Sequence, residues 1–133
     1  MAQSSTTPAA SAEAAVQGFM RAVADSNLAK MAELWGSAKG PAAKTKQPDD
    51  YERRIVVMQL YLRQSPYRIL SNSQDGSNAA RRIVQVELQR KECAKLVPFT
   101  VIRAGTGAWL VNSIDLVAAG TPGANCKEDD KEG

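Results

Sequence analysis

Few residues of this chain could do chemistry, and their types exclude several classes of catalytic site. The 133 residues include no histidine and only two cysteines, Cys93 and Cys126. Histidine is the commonest general base near neutral pH. Because the chain has none, catalytic sites of the Ser-His-Asp and Cys-His types are excluded. Two cysteines without histidine cannot make a typical zinc site either. The sequence therefore predicts neither a metal nor a cofactor.

A carboxylate in an apolar pocket is the remaining route to acid-base chemistry, because burial would raise its pKa. Asp115 is the one weak candidate for such a catalytic role. It lies between Ile114 and Leu116 in the predicted last strand, and therefore on the opposite face from both. The sequence favours the alternative, a strand-end carboxylate in water or beside a basic neighbour. The sequence leaves enzymatic activity open and favours a protein that is not an enzyme.

The two cysteines indicate where the protein works. Cys126 lies in the polar run GANCKEDD, where a free thiol is unusual because unpaired cysteine prefers burial. Cys93 lies between the second and third predicted strands. In an antiparallel meander, the ends of the second and fourth strands lie at the same end of the sheet. The tail that contains Cys126 therefore starts at the end of the sheet where Cys93 lies.

We predict a Cys93–Cys126 disulfide, which would stabilise the fold by roughly 3–4 kcal/mol. A reactive thiol is the alternative. Because disulfides persist in oxidising compartments, the pair predicts an exported protein of the periplasm or cell envelope.

The first half of the chain has apolar residues at helical spacing. Ser11 and Asn27 are suitable N-caps for a first and a second helix, and Pro66 ends a third. Residues 36–50, rich in Gly, Pro and Lys, are predicted to be a loop. The expected buried stripes are Val16, Phe19, Met20 and Val23, then Leu28, Met31 and Trp35, then Tyr51, Ile55, Met58 and Leu62.

After Pro66 the apolar period changes to two, which predicts four strands in YRILS, RRIVQVELQR, KLVPFTVIR and AWLVNSIDLV. Pro98 should sit at a bulge or an outward-facing edge position, because it cannot donate to a ladder. From Val117 onward we expect regular structure to stop. Helices followed by an antiparallel meander predict an α+β fold, with the N-terminal helices on one face of about four strands.

The third and fourth strands are apolar on both faces. The face turned away from the helices should therefore be covered by a partner or carry an exposed apolar patch. The sequence favours a homodimer through this outer sheet face.

Composition divides the chain into three parts. Residues 1–10 are predicted to be a flexible tether, 11–118 a single domain and 119–133 a polar tail. Neither a signal peptide nor a membrane-spanning run is visible, so a membrane tether would come from a missing N-terminus that carried a signal or a lipid-modified cysteine. With aromatic residues at only 5%, the chain offers no stacking platform for bases, and nucleic acid is not an expected partner.

Two stretches carry a family resemblance: AAVQGFMRAVADSNLAKMAELW near the start and GTGAWLVNSIDL near the end. Together they resemble the nuclear transport factor two-like superfamily, which includes ketosteroid-isomerase-like and SnoaL-like proteins. The resemblance implies a curved antiparallel sheet wrapped around helices, a cone-like shape with an apolar pocket, and dimers formed through the outer sheet face. The chain departs from the family by lacking a clear strand in 36–50. Cystatins are a competing α+β family, but the nearest stretch, QVELQ, lacks their Gln-x-Val-x-Gly pattern.

A pocket in such a fold would be lined by apolar residues of the helices and of the sheet face that packs against them. Simple core packing is the alternative, since any core of this fold would use the same residues. The function expected from this pocket is non-catalytic binding of a small apolar ligand or a protein partner. The alternatives are an isomerase or hydrolase using a pocket carboxylate, and a basic surface module that contacts anionic lipid or polymer. The predicted lining residues are Phe19, Val23, Trp35, Met58, Tyr61, Val84, Val86 and Val101.

Overall fold

The computed structural model describes residues 9–63, 66–90 and 93–120. Helices dominate its first half and strands its second. In chain order the elements are α1 (Ala12–Ala24), α2 (Leu28–Leu34), β1 (Gly36–Ser37), β2 (Gly40–Pro41), α3 (Ala42–Thr45), α4 (Tyr51–Leu62), β3 (Tyr67–Asp75), β4 (Asn78–Gln89), β5 (Ala94–Arg103), β6 (Trp109–Ile114) and α5 (Leu116–Ala119).

The predicted α+β class is confirmed. Strands β3 to β6 lie side by side in chain order, and each pairs antiparallel with the next. Helix α1 packs mainly against β5 and β6, touches β3 and β4 at fewer points, and also contacts α2 and α4. The core therefore lies between one face of an open four-stranded sheet and the helices that precede it.

Helix α1 begins where its sequence predicts. The Ser11 hydroxyl accepts a hydrogen bond from the backbone N–H of Ala14 at 3.1 Å, and Asn27 caps α2 in the same way through Lys30. Each cap satisfies an N–H that the helix itself leaves unpaired. Phe19 and Val23 of α1 are fully buried, as their helical spacing predicted.

The alternation in β4 is also confirmed. Val84, Val86 and Leu88 are fully buried on the face toward the helices. Val84 and Val86 pair with Phe99 and Val97 of β5, which are fully buried on the same face. These cross-strand pairs give the sheet its half of the core.

Residues 36–50 are not all loop, and this expectation was wrong. Strands β1 and β2 form a small hairpin, and α3 follows as a single helical turn. A Cβ added at Gly36 would lie 2.3 Å from the carbonyl oxygen of Gly40, so only glycine permits this close approach. Glycine and proline indicated a loop, but here the two glycines make a tight hairpin. It docks beside β6, where the Asn112 amide donates to the Gly36 carbonyl at 2.8 Å.

Pro98 lies in β5 at a position where its missing N–H removes no hydrogen bond between strands. It pairs with Gln85 of β4, and its carbonyl accepts from Asp115 N–H at 3.2 Å, just past the end of β6. The N–H and carbonyl of one strand residue point to the same side. The missing donor therefore faces the side where β6 has already ended.

Regular structure continues past Val117, contrary to expectation. Helix α5 is a single turn whose N-cap is Asp115, and one Arg90 nitrogen donates to the carbonyls of Ala119 at 2.9 Å and Tyr61 at 3.0 Å. Arg90 thereby ties the end of β4 to the last turns of α4 and α5. Such a short helix gives no periodic signal in the sequence, and this tertiary contact holds it.

Replacing Arg90 should destabilise the fold. Arg90→Met leaves two carbonyls without their charged donor, so we expect the free energy of unfolding to fall by about 1–3 kcal/mol. Urea denaturation measures the change. Arg53→Met on the exposed face of α4 is the matched control, with an expected change of about 0.5 kcal/mol or less. Equal effects of the two substitutions would contradict this role of Arg90.

Candidate functional site

A groove of about 800 Å³ runs between α1, the end of α4 and the start of β3. We call it the α1–β3 groove. Its volume lies within the range of about 300–1,000 Å³ that is typical of small-molecule sites. The lining residues are Ala14, Gln17, Gly18, Met20, Arg21, Val23, Ala24, Leu62, Pro66 and Tyr67.

Helical periodicity places one wall of this groove. Ala14, Gly18 and Arg21 recur at spacings of four and three, so they share a face of α1. Met20 and Val23 belong to the neighbouring buried face, and the edges of their side chains reach the groove. The wall is therefore built where the buried and exposed faces of α1 meet.

The polar groups of the groove are few. Arg21 is its single charged lining residue among those described, and it lies on the exposed side of α1. Burial raises the pKa of Tyr67, which is half-buried at the start of β3. The Tyr67 phenol therefore keeps its proton at neutral pH. An apolar groove with one guanidinium, one phenol and the Gln17 amide suits an apolar molecule that carries an acceptor group.

A second cleft of about 560 Å³ continues from this groove along β3, and we call it the β3 cleft. The two spaces share Gln17 and Tyr67. At its far end the Asn72 amide donates to the Glu13 carboxylate at 3.3 Å, joining β3 to the first turn of α1. The lining residues of the β3 cleft are Glu13, Gln17, Tyr67, Arg68, Ile69, Leu70 and Ser71.

The predicted pocket residues lie mainly in the packed core. Seven of them are buried there, and Tyr61 is half-buried against it. Of the eight, Val23 also lines the α1–β3 groove. The indole N–H of Trp35 is buried and has no hydrogen-bond partner in the described ranges. The seven buried residues are Phe19, Val23, Trp35, Met58, Val84, Val86 and Val101.

Sequence reasoning missed Gln17, Arg21, Pro66 and Tyr67 as groove residues. Pro66 was assigned to the end of a helix, which is compatible with a position at a groove, and Arg21 is an exposed residue of α1. The sequence carries no signal for the groove because it depends on how far α1 lies from β3.

Asp115 lies just after β6 and not within it. Its carboxylate accepts a hydrogen bond from Ala118 N–H at 3.1 Å, as the N-cap of α5. The side chain is exposed and lies outside both the α1–β3 groove and the β3 cleft. The structure therefore gives this carboxylate a capping role.

Of the two cysteines of the predicted disulfide, one belongs to the described residues. Cys93 is half-buried just before β5, whereas Cys126 lies outside the described residues. No described cysteine is free. The Cys93–Cys126 pairing stays a prediction.

Exposed apolar side chains gather on the helices more than on the sheet. Leu96, at 57% exposure, is the most exposed apolar side chain on the outer sheet face. Leu28 had been placed in the buried stripe of α2 but is 40% exposed, next to Val56 in a groove between α2 and α4. Val57 and Leu60 extend this apolar surface along the outward face of α4.

Several arginines on α4, β3 and β4 form ion pairs. The ion pairs are Arg54–Asp50 at 2.9 Å, Arg68–Glu87 at 2.9 Å and Arg81–Asp75 at 2.8 Å. Exposed pairs of this kind contribute little to stability. They do lower the net positive charge that this surface presents to an anionic partner.

The described residues offer neither a metal-binding cluster nor a membrane-spanning helix. In residues 9–63, 66–90 and 93–120, no group of three or more His, Cys, Asp or Glu side chains is placed to hold a metal ion. Within the same ranges, no helix combines the length and the apolar character needed to cross a membrane.

Comparisons with known proteins identify no relative. No protein-family model, curated protein or solved structure matches the chain. The α+β class is thus confirmed by the coordinates, while the resemblance to the nuclear transport factor two-like superfamily stays a prediction.

The raised pKa of Tyr67 predicts a pH dependence of stability. Its phenol ionises more easily in the unfolded chain, where the pKa is near 10. Stability from this group is therefore complete below about pH 10 and falls as pH rises through the folded-state pKa. Absorbance titration at alkaline pH should show a late phenolate component that Tyr67→Phe removes. A late component that persists in Tyr67→Phe would assign it to another tyrosine.

Proposed function

We propose that this protein is a non-catalytic binding domain of the cell envelope, and that the α1–β3 groove holds a small apolar ligand or an apolar side chain of a protein partner. The groove itself is the observation that carries the proposal. Its walls include Met20, Val23, Leu62 and Pro66, which would bury an alkyl chain. Each buried methylene contributes about 0.8 kcal/mol to binding.

The polar residues favour a ligand with a carboxylate or another oxygen acceptor. Arg21 offers guanidinium donors at the mouth, and the protonated Tyr67 phenol offers a second donor. These two groups would orient the polar head while the chain lies against Met20 and Leu62. A medium-chain carboxylate such as octanoate is therefore a suitable probe.

The non-catalytic part of the proposal is supported by the chemistry of the lining. The ionisable groups of the α1–β3 groove are those of Arg21 and Tyr67, and its other lining residues are neutral. General acid-base catalysis near neutral pH favours a group that titrates close to that pH. Asp115, the candidate for the enzyme alternative, caps α5 outside the groove.

The envelope location depends on the predicted Cys93–Cys126 disulfide, since such a bond persists in oxidising compartments. It is supported by the half-buried position of Cys93 at the start of β5 and by the finding that no described cysteine is free.

Filling the groove should weaken ligand binding without disturbing the core. Ala24 is an exposed lining residue at the end of α1, so Ala24→Trp places an indole in the groove. We expect octanoate binding, measured by calorimetry, to weaken at least about tenfold, or 1.4 kcal/mol. Ala29→Trp, on the exposed face of α2, is the matched control and should leave binding unchanged.

Arg21→Met tests the contribution of the ligand's polar head separately from that of its alkyl chain. Octanoate should lose about fivefold in affinity, because an exposed charge pair contributes up to about 1 kcal/mol. Octanol, which has no charge, should bind both proteins equally. If neither probe binds the unmodified protein, the small-ligand form of the proposal is wrong.

A homodimer through the outer sheet face stays a prediction, and two substitutions test it. Leu96→Glu places a charge in that face and should dissociate the dimer, as measured by sedimentation velocity. Leu60→Glu, on the outward face of α4, should leave the dimer intact. The reverse result would place the interface on α4, and a monomeric unmodified protein would rule out self-association.

A further inference from the structure

We propose that the β3 cleft accepts an extended peptide segment of a partner protein as an added strand, antiparallel to β3. The inference rests on the proposed function and deepens it, because the peptide's carboxyl-terminal apolar residue would occupy the α1–β3 groove. It names the class of ligand: an extended chain with an apolar end and a free carboxylate.

The main-chain groups of β3 define what the cleft can bind. Among the described strands, β3 pairs with β4 alone. The N–H of Gln89 donates to the Pro66 carbonyl at 2.8 Å, so this carbonyl points toward β4. Along a strand, the main-chain N–H and carbonyl groups of successive residues point to opposite sides. The N–H and carbonyl of Tyr67 and Ile69 therefore point away from β4. Neither residue's main chain has another hydrogen-bond partner in the described part of the chain.

The open stretch of β3 is short and has a defined end. The register of β3 with β4 shifts between Ile69 and Ser71. Beyond this bulge, Arg82 donates to the Asn72 carbonyl at 3.2 Å, and the Asn72 side chain contacts Glu13. The edge is thus interrupted at the Asn72 carbonyl. The open stretch before it, which includes Tyr67 and Ile69, lines the β3 cleft.

Helix α1 faces this edge, and the part of it that lines the two spaces is as long as a short extended peptide. The part of α1 from Glu13 to Ala24 lines the β3 cleft and then the α1–β3 groove. At 1.5 Å per residue it is about 16 Å long. An extended peptide of about five residues has the same length at about 3.3 Å per residue. A strand added between a sheet edge and a helix gains affinity from main-chain bonds and selectivity from side-chain pockets.

The charges along α1 give the peptide a direction. Glu13 lies at the Asn72 end of the cleft and Arg21 at the Pro66 end. A peptide with its amino end near Glu13 and its carboxylate near Arg21 matches both charges. In that direction it runs opposite to β3, which begins at Tyr67 and proceeds toward Asn72. Charge complementarity therefore selects the antiparallel arrangement.

The opposite edge of the sheet is not equivalent. The Trp109 N–H donates to the Ala9 carbonyl at 3.1 Å, and Trp35 forms a parallel bridge with Val111. Both contacts place the chain's own residues against β6. An added strand would therefore meet competition at β6 that it does not meet at Tyr67 and Ile69.

The test uses the unmodified protein and the peptide Lys-Thr-Val-Thr-Leu with a free carboxylate, titrated by calorimetry. We expect saturable binding with a dissociation constant in the micromolar range. Two N-methylated peptides separate strand addition from simple groove filling. One carries methyl groups on the amides of the edge that would pair with β3, and the other carries them on the amides of the opposite edge. Methylation of the edge that pairs with β3 should weaken binding at least about tenfold, and methylation of the other edge should have little effect.

Protein and peptide variants test the direction. Arg21→Glu should lower affinity for the free carboxylate and raise it for a version ending in Lys-amide. Ala29→Trp is again the control that should change nothing. Equal losses from the two methylation patterns, or no binding up to about 1 mM, would overturn the inference. Octanoate binding without peptide binding would overturn it while leaving the proposed function in place, and the reverse result would overturn only the small-ligand form of that function.

Discussion

The burial of α1 against the sheet is the constraint on which the other features depend. Val16, Phe19 and Val23 of α1 are fully buried, and they face a sheet surface that includes Val84 and Phe99. A helix can cover only part of a four-stranded sheet. Because α1 packs mainly on β5 and β6, it touches β3 at few points, one of them the hydrogen bond between Asn72 and Glu13, and leaves open space between α1 and the start of β3. The α1–β3 groove and the β3 cleft both follow from that placement.

Where the sequence predicted the structure correctly, a local periodic signal coincided with burial. The alternation of Val84, Val86 and Leu88 is clear because one face of β4 is buried along that stretch. The N-caps Ser11 and Asn27 were predictable because their partners lie only three residues away. Elements of this kind require no knowledge of the tertiary structure.

The features that sequence reasoning missed depend on residues that are distant in the chain. Helix α5 is held by Arg90 of the β4–β5 connection, and the hairpin at Gly36 is held against Asn112 of β6. Neither contact has a periodic signature. The proposed groove was missed for the same reason. The predicted pocket took residues such as Phe19 and Val86 from the centre of the core, where side chains fill the space, whereas a groove forms where two partly exposed surfaces meet.

An exposed sheet edge with unpaired main-chain groups favours aggregation, and natural proteins shorten or cover such edges. This chain does both. Its own residues Ala9 and Trp35 lie against β6, while the bulge after Ile69 and the contacts of Asn72 shorten the open part of β3. The open stretch before the bulge is short, and it lies directly beside an apolar groove. A short edge next to a groove discriminates between partners, because only a segment that also fills the groove gains enough contacts to remain bound. The bulge and the Asn72 contacts that limit edge-to-edge pairing would therefore also favour the proposed recognition of one extended ligand.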